Sequence, residues 1–193
     1  MYELLLKKIN EKITLTEEEF EFCKTLFIPK KFRKKQYLLQ AGDVCRYTAF
    51  VESGVLRSYT VDEKGNEHIL QFALEGWWIA DMYSFLTGEP SVYDIDALED
   101  SAVLLLTYEA NEKLYEKIPK FERYFRILIQ NSMVAMQRRL SGSLSLTAEG
   151  NYLKLTETYP DIIQRVPQHL VASYLGITPE TLSRIRKQLA SRK

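Results

Sequence analysis

Near the C-terminal end of the chain, Glu180, Ser183, Arg184 and Lys187 follow one another at steps of three, one and three. On a helix that spacing gathers all four on one face. An arginine there can bond guanine O6 and N7 together, and a glutamate can accept from cytosine N4. A lysine supplies a point charge for phosphate. The surrounding run, Gln168 to Arg186, reads as two short helices joined by a tight turn. Pro167 suits the first turn of the first helix. Ala172 is small where the helices would cross, and Gly176, four residues on, allows the left-handed geometry that stops a helix. Thr178 suits an N-cap, Pro179 suits N1, and Leu182, Ile185 and Leu189 make the buried stripe of the second helix. This is the pattern of a helix-turn-helix whose second helix enters a major groove. A hairpin used only for packing would share the alanine and glycine, but rarely the charged open face.

Other chemistry is thinly represented. His68 and His169 are the only histidines, and His68 has only Glu67 beside it. A metal site needs several converging ligands. Cys23 and Cys45, 22 positions apart, cannot supply the four thiolates of an iron–sulfur cluster. Ser141-Gly142-Ser143 lacks the strand–turn–helix setting of a nucleophile elbow. Trp77, Trp78, Tyr83 and Phe85 could line a ligand pocket, although aromatic core filling is the simpler reading. No catalytic residue, metal or cofactor is expected, and the chain does not read as an enzyme.

The 193 residues balance 26 basic against 26 acidic side chains, but the charges are segregated. Residues 165–193 hold six basic side chains and one acidic, a net +5, so the rest carries −5. Between Gly65 and Glu112 there are ten carboxylates and no Lys or Arg. A basic end on an acidic body points to a polyanion partner, or alternatively to cations complementing helix dipoles. No apolar run is long enough for a transmembrane helix, and the N-terminus lacks a signal-peptide pattern. Sparse cysteine fits a reducing compartment, so a cytoplasmic location without membrane attachment is expected.

The elements that must position the C-terminal face read as follows. Residues 1–25 are helical, with Leu5, Ile9 and Ile13 at steps of four and a second start at Thr16, three residues before Glu19. From Lys34 to Tyr108 the texture changes to short strands: 36–40, 48–52, 55–61, 68–73, 91–98 and 102–107, with a hairpin turn at Asp62–Asn66. Such a series suggests a β-sandwich or jelly roll. A long helix follows, in which Phe121, Phe125, Leu128, Ser132, Ala135 and Leu140 approximate a heptad seam. The seam predicts a homodimer helix over 115–142, with a hinge at Ser141-Gly142-Ser143. The expected division is 1–114, 115–142 and 143–193.

A β-barrel-like domain, a long helix and a terminal helix-turn-helix ending in Thr-Pro-Glu-Thr-Leu-Ser-Arg together resemble the Crp/Fnr family of bacterial transcription regulators. The likeness covers nearly the whole chain. It includes the Gly42-Asp43 turn, Gly54, Gly76 and Ala97-Leu98-Glu99-Asp100-Ser101. The resemblance implies an α+β fold: an N-terminal jelly roll of the cyclic-nucleotide-binding type, a dimerisation helix and a winged-helix-like end. It places Glu180 and Arg184 at base-reading positions, with Gln168, Thr178 and Thr181 near phosphates. Lys187 and Arg192 are expected on the DNA backbone. It further implies a palindromic duplex operator, a homodimer, an unidentified small-molecule effector and RNA polymerase as partners.

Two departures qualify the resemblance. Where cyclic-nucleotide binders carry Gly-Glu and later an Arg, this chain has Ala80-Asp81 and then Pro90-Ser91. Trp78, Asp81, Met82, Tyr83 and Ser91 are the candidate pocket residues, and cyclic AMP is not expected to bind usefully. The chain also ends four residues past Leu189, so any wing after the recognition helix is reduced or absent. The competing readings are a small-molecule or protein-interaction sensor without DNA binding, and a metal-dependent cupin-type enzyme.

Overall fold

The computed structural model describes residues 2–192. Two helices open the chain, α1 (Glu3–Asn10) and α2 (Glu17–Leu26). The expected start at Thr16 is present as a capping box: its hydroxyl accepts from Glu19 N–H, and the Glu19 carboxylate accepts from Thr16 N–H. Eight strands follow: β1 (Ile28–Phe32), β2 (Tyr37–Leu39), β3 (Tyr47–Ser53), β4 (Leu56–Val61), β5 (Glu67–Ala73), β6 (Trp78–Ile79), β7 (Asp94–Ala97) and β8 (Ser101–Thr107). A short helix, α3 (Met82–Thr87), interrupts them. The strands form two four-stranded sheets, ordered β1-β8-β3-β6 and β2-β7-β4-β5. Helices α4 (Tyr108–Lys117), α5 (Lys120–Ser145), α6 (Ala148–Thr158), α7 (Pro160–Arg165), α8 (Gln168–Leu175) and α9 (Pro179–Ala190) complete the chain.

The molecule divides into two compact units. One comprises Met1–Thr60 and Gln71–Gln130, the other Val61–Leu70 and Asn131–Lys193. In the first, strand alternation feeds two cores at once. Val103 and Leu105 of β8, with Ala49 and Val51 of β3, meet Leu56, Ile95 and Ala97 of the facing sheet. Leu104 and Leu106 of β8, with Phe50 of β3, point the other way onto Leu5, Ile9, Cys23, Leu114, Phe121 and Tyr124 of the helices. The β8–β3 pair at the centre of this sheet is therefore buried on both sides, which a period of two permits when both residue sets are apolar. Cys23 lies in the helix-side core and Cys45 in the inter-sheet core.

Two strands that the sequence reading omits are present, β1 and β6. The six it named are found with ends shifted by a few residues. The expected seam is out of phase. Phe121 is buried, and Phe125 and Leu128 are half-buried against the helix-side core of their own unit. Ser132 and Ala135 are exposed, and the open apolar stripe is instead Ile129, Met133, Met136 and Leu140, each at least 60% exposed. The expected hinge is also corrected, because α5 runs through Ser141, Gly142 and Ser143 without a break. Gly142 is there for room: a Cβ would lie 2.7 Å from the Asn151 Oδ1, whose amide donates to the Gly142 carbonyl. No strand follows Thr107 among the described residues. No helix there is long and apolar enough to cross a membrane.

Gly54 joins β3 to β4 at φ +94°, and a Cβ there would lie 2.2 Å from Ser101 Oγ and 2.7 Å from its Cα. Gly65, at φ +81°, has open space around it. Both alanine variants bear the left-handed strain, about 1–3 kcal/mol, but only Gly54→Ala adds a backbone collision. Urea unfolding is expected to show the larger loss for Gly54→Ala. Equal losses at the two sites would count against this account of the β3–β4 turn.

Candidate nucleic-acid interface

The second unit builds its core from Tyr152 and Leu155 of α6, Ile162 of α7, Leu170, Val171 and Ala172 of α8, and Leu182 and Ile185 of α9. Ala172 is fully buried, as its place between the two helices requires. The turn is a Schellman motif: Gly176 at φ 69° donates to the Ser173 carbonyl, and Ile177 N–H donates to that of Ala172. Thr178 caps α9, its hydroxyl accepting from Thr181 N–H at 3.2 Å, and Pro179 takes the first helical position. Pro167 precedes α8 as its cap residue, one position earlier than expected.

These local devices fix which face of α9 stays open. Leu182 and Ile185 turn inward, while Glu180, Ser183, Arg184 and Lys187 are exposed. Together with Pro179 they line one shallow cleft of about 510 Å³. Gln168 is exposed at the start of α8, Thr178 is exposed, and Thr181 is half-buried against the cap. Glu180 turns back on the helix start rather than toward Arg184. Its own backbone N–H and the Thr178 hydroxyl hold its carboxyl below the usual range. Arg184 thus presents its guanidinium without that carboxylate as a partner. Arg192, itself largely exposed, is paired at 2.6 Å with Glu149 in the first turn of α6.

The candidate pocket residues of the β-unit are only partly brought together. Asp81 and Ser91 are both buried, and the Ser91 hydroxyl donates to the Asp81 carboxylate at 2.7 Å. The other Asp81 oxygen accepts from Tyr83 and Ser84 N–H and so caps α3. Met82 and Tyr83 point outward and are exposed. Trp78 is spent on the core: its indole N–H donates to the Tyr124 hydroxyl at 3.2 Å, and its ring sits 5.3–5.4 Å from those of Phe50 and Phe125. A cleft of about 560 Å³ in this unit is lined by residues of the segment 37–47, Leu39, Cys45 and Tyr47 among them.

Arg57 and Asp96 were not paired by the sequence reading, because the pair depends on register. They face each other across β4 and β7. The guanidinium bonds both carboxylate oxygens, at 2.7 and 3.1 Å, and lies 4.1 Å from the centre of the Tyr59 ring. Arg57 is the one buried basic side chain among the described residues. Burial and the Tyr37 hydroxyl push the Tyr59 phenol well above its ordinary range. Among the described residues no three His, Cys, Asp or Glu side chains are grouped to hold a metal.

Comparison with known proteins agrees with this architecture. Residues 29–118 match the family model of the cyclic nucleotide-binding domain. The chain is 30% identical over 189 residues to the fumarate and nitrate reduction regulatory protein of Vibrio cholerae, covering 89% of this chain and 73% of the relative. It is 28% identical over 186 residues to the regulatory protein HlyX of Actinobacillus pleuropneumoniae, covering 89% and 76%. Among solved structures, FixK2 from Bradyrhizobium japonicum aligns with a TM-score of 0.69 at 20% identity, over 86% of this chain and 85% of that one. That last likeness is one of fold.

Proposed function

The chain belongs to the Crp/Fnr family of transcription regulators, and from that membership we propose that it is a homodimeric, sequence-specific DNA-binding protein acting in the cytoplasm. Residues 143–193 read the operator, 115–142 carry the dimer contact, and 1–114 form the sensor unit. The carrying observation is the open face of α9, where Glu180, Ser183, Arg184 and Lys187 line one cleft, the first three in the N-terminal half of a capped helix and Lys187 in its last turn. Arg184 reads guanine, Glu180 accepts from cytosine, and Lys187, Gln168, Thr178 and Thr181 hold phosphates. A palindromic operator follows from two such units, with half-sites about 34 Å apart. RNA polymerase is the partner through which the bound protein would act.

The second copy sits on α5. Ile129, Met133, Met136 and Leu140 recur at steps of four, three and four, which is a heptad stripe, and all are open to solvent. The sensor unit does not hold cyclic AMP. A buried cyclic phosphate needs a cation or a dense set of N–H donors. Here the α3 N–H groups already serve Asp81, and Arg57 already serves Asp96. Uncharged or cationic molecules, or a protein, are the effectors compatible with that interior.

Arg184→Ala should cost about 1–3 kcal/mol per half-site and relax one base pair of the consensus. Lys187→Ala should instead weaken all sequences alike and flatten the salt dependence. Binding-site selection from random duplex, followed by titration at several salt concentrations, separates the two. An Arg184→Ala protein with unchanged consensus and affinity would remove α9 from base reading. Met136→Asp should convert dimer to folded monomer in light scattering at micromolar concentration, while Leu128→Asp, on the core side, should unfold the first unit. A monomeric unmodified protein would refute the dimer. Calorimetry with cyclic AMP should register no micromolar binding, and a clear micromolar isotherm would overturn the closed reading of the sensor unit.

A further inference from the structure

Helix α3 stands with its polar side inward. Ser84 is fully buried, and its N-cap Asp81 and the following Ser91 are nearly so. The Ser84 hydroxyl accepts from Cys45 N–H at 2.9 Å and donates to the Glu89 carbonyl at 2.5 Å. Backbone bonds of 2.8 Å, from Gly42 N–H to the Ser91 carbonyl and from Ser91 N–H to that of Asp43, tie the same segments together, and Val44 pairs with Pro90. Apart from Phe85, the large apolar side chains of α3 point the other way: Met82 is 45% exposed, and Tyr83 and Leu86 are each 61% exposed. A helix that buries serine and opens methionine, tyrosine and leucine to water reverses the ordinary arrangement. An apolar face held open by a buried polar network marks a contact surface.

The rim of this face is acidic. The Tyr83 hydroxyl donates to the Glu89 carboxylate at 2.6 Å and keeps it beside the apolar ridge. Asp43 is exposed next to Val44. Phe85 lies 5.9 Å from the Tyr108 ring, which brings the start of α4, with exposed Glu109, to the same region. Arg46 is the one basic side chain in segments 42–46, 81–92 and 108–109. Carboxylates repel nucleic acid. A second copy meeting this face about a two-fold axis would bring the same acidic rim against it. A helix with an apolar stripe flanked by Lys or Arg matches both features. Its stripe lies along Met82 and Leu86, four residues apart on one side of α3, and its cations meet the rim.

We propose that the outer face of α3 is a docking site for a basic amphipathic helix of a partner protein, which makes the sensor unit a protein-binding module. The inference goes beyond the DNA-binding reading and does not depend on it. Leu86 supplies the apolar anchor, and Glu89, oriented by Tyr83, supplies the charge that selects a cationic partner.

The probe is a synthetic leucine–lysine peptide with its leucines on one helical face, titrated into the full chain by calorimetry. Micromolar affinity is expected, with amide shift changes confined to 43–46, 82–92 and the start of α4. Leu86→Ser should weaken binding by about five- to fiftyfold. Glu89→Gln should weaken it at low salt, with the difference fading as salt rises. Val61→Ser removes an apolar side chain that is also exposed but lies outside the face, and it should bind as the unmodified protein does. The same peptide with glutamate for lysine should not bind. Circular dichroism checks that each variant is folded. Failure of the leucine–lysine peptide to bind, an equal loss with Val61→Ser, shift changes elsewhere, or equal binding of the glutamate peptide overturns the proposal. Self-association of the unmodified protein beyond a dimer, abolished by Leu86→Ser, would give the face to a second copy and likewise overturn it.

Discussion

Strand β8 gives neither of its faces to water: Leu104 and Leu106 enter the helix-side core, and Val103 and Leu105 enter the core between the sheets. Burying both faces of one strand commits the chain to three layers, because each side then needs an apolar cover. The facing sheet covers one side. Helices α1, α2, α4 and the start of α5 cover the other, so the origin of the long helix is set by the sheet rather than by a linker. Tyr124 marks that join. It is almost fully buried, it accepts from the Trp78 indole, and burial pushes its phenol up to about 12. Removing the helical cover would expose Leu104, Leu106 and Phe50 on that side, which is why the N-terminal helices are structural elements and not appendages.

The interior of the β-unit is polar where its charges are already matched. Asp81 terminates α3 and takes the Ser91 hydroxyl, and Arg57 and Asp96 neutralise one another across adjacent strands. Buried pairs of this kind are costly to break from one side only. A ligand entering as an anion would have to displace a carboxylate from donors it already holds. The fold is thus that of the cyclic nucleotide-binding domain, while its internal electrostatics are self-contained.

What was legible in the sequence was what depends on neighbours along the chain. Thr16 with Glu19, Gly176, Thr178 with Pro179, and the Asp62–Asn66 turn are all settled within a few residues, and each stands where its chemistry put it. The faults lie where distant partners decide. Helix α5 carries two apolar stripes offset by one residue, and only the sheet determines that Phe125 and Leu128 turn inward while Ile129 and Met133 stay open. Strand β1, Ile28-Pro29-Lys30-Lys31-Phe32, shows no alternation because four of its five residues are exposed at an edge, and it exists through its pairing with β8. Likewise Arg57 and Asp96, and Ser173 and Ile69, are 39 and 104 positions apart and become pairs only through register.

The placement of the two cysteines gives the molecule a pair of internal clocks. One sits in each core of the first unit, both are nearly inaccessible, and burial raises both thiols, that of Cys23 to about 12. Alkylating reagents act on the thiolate, so neither sulfur reacts at an appreciable rate while its core is closed. Modification of Cys23 counts openings of the helical cover, and modification of Cys45 reports on the cleft that it lines. The native sequence therefore carries, without any added label, separate time-resolved reporters of these two regions' breathing.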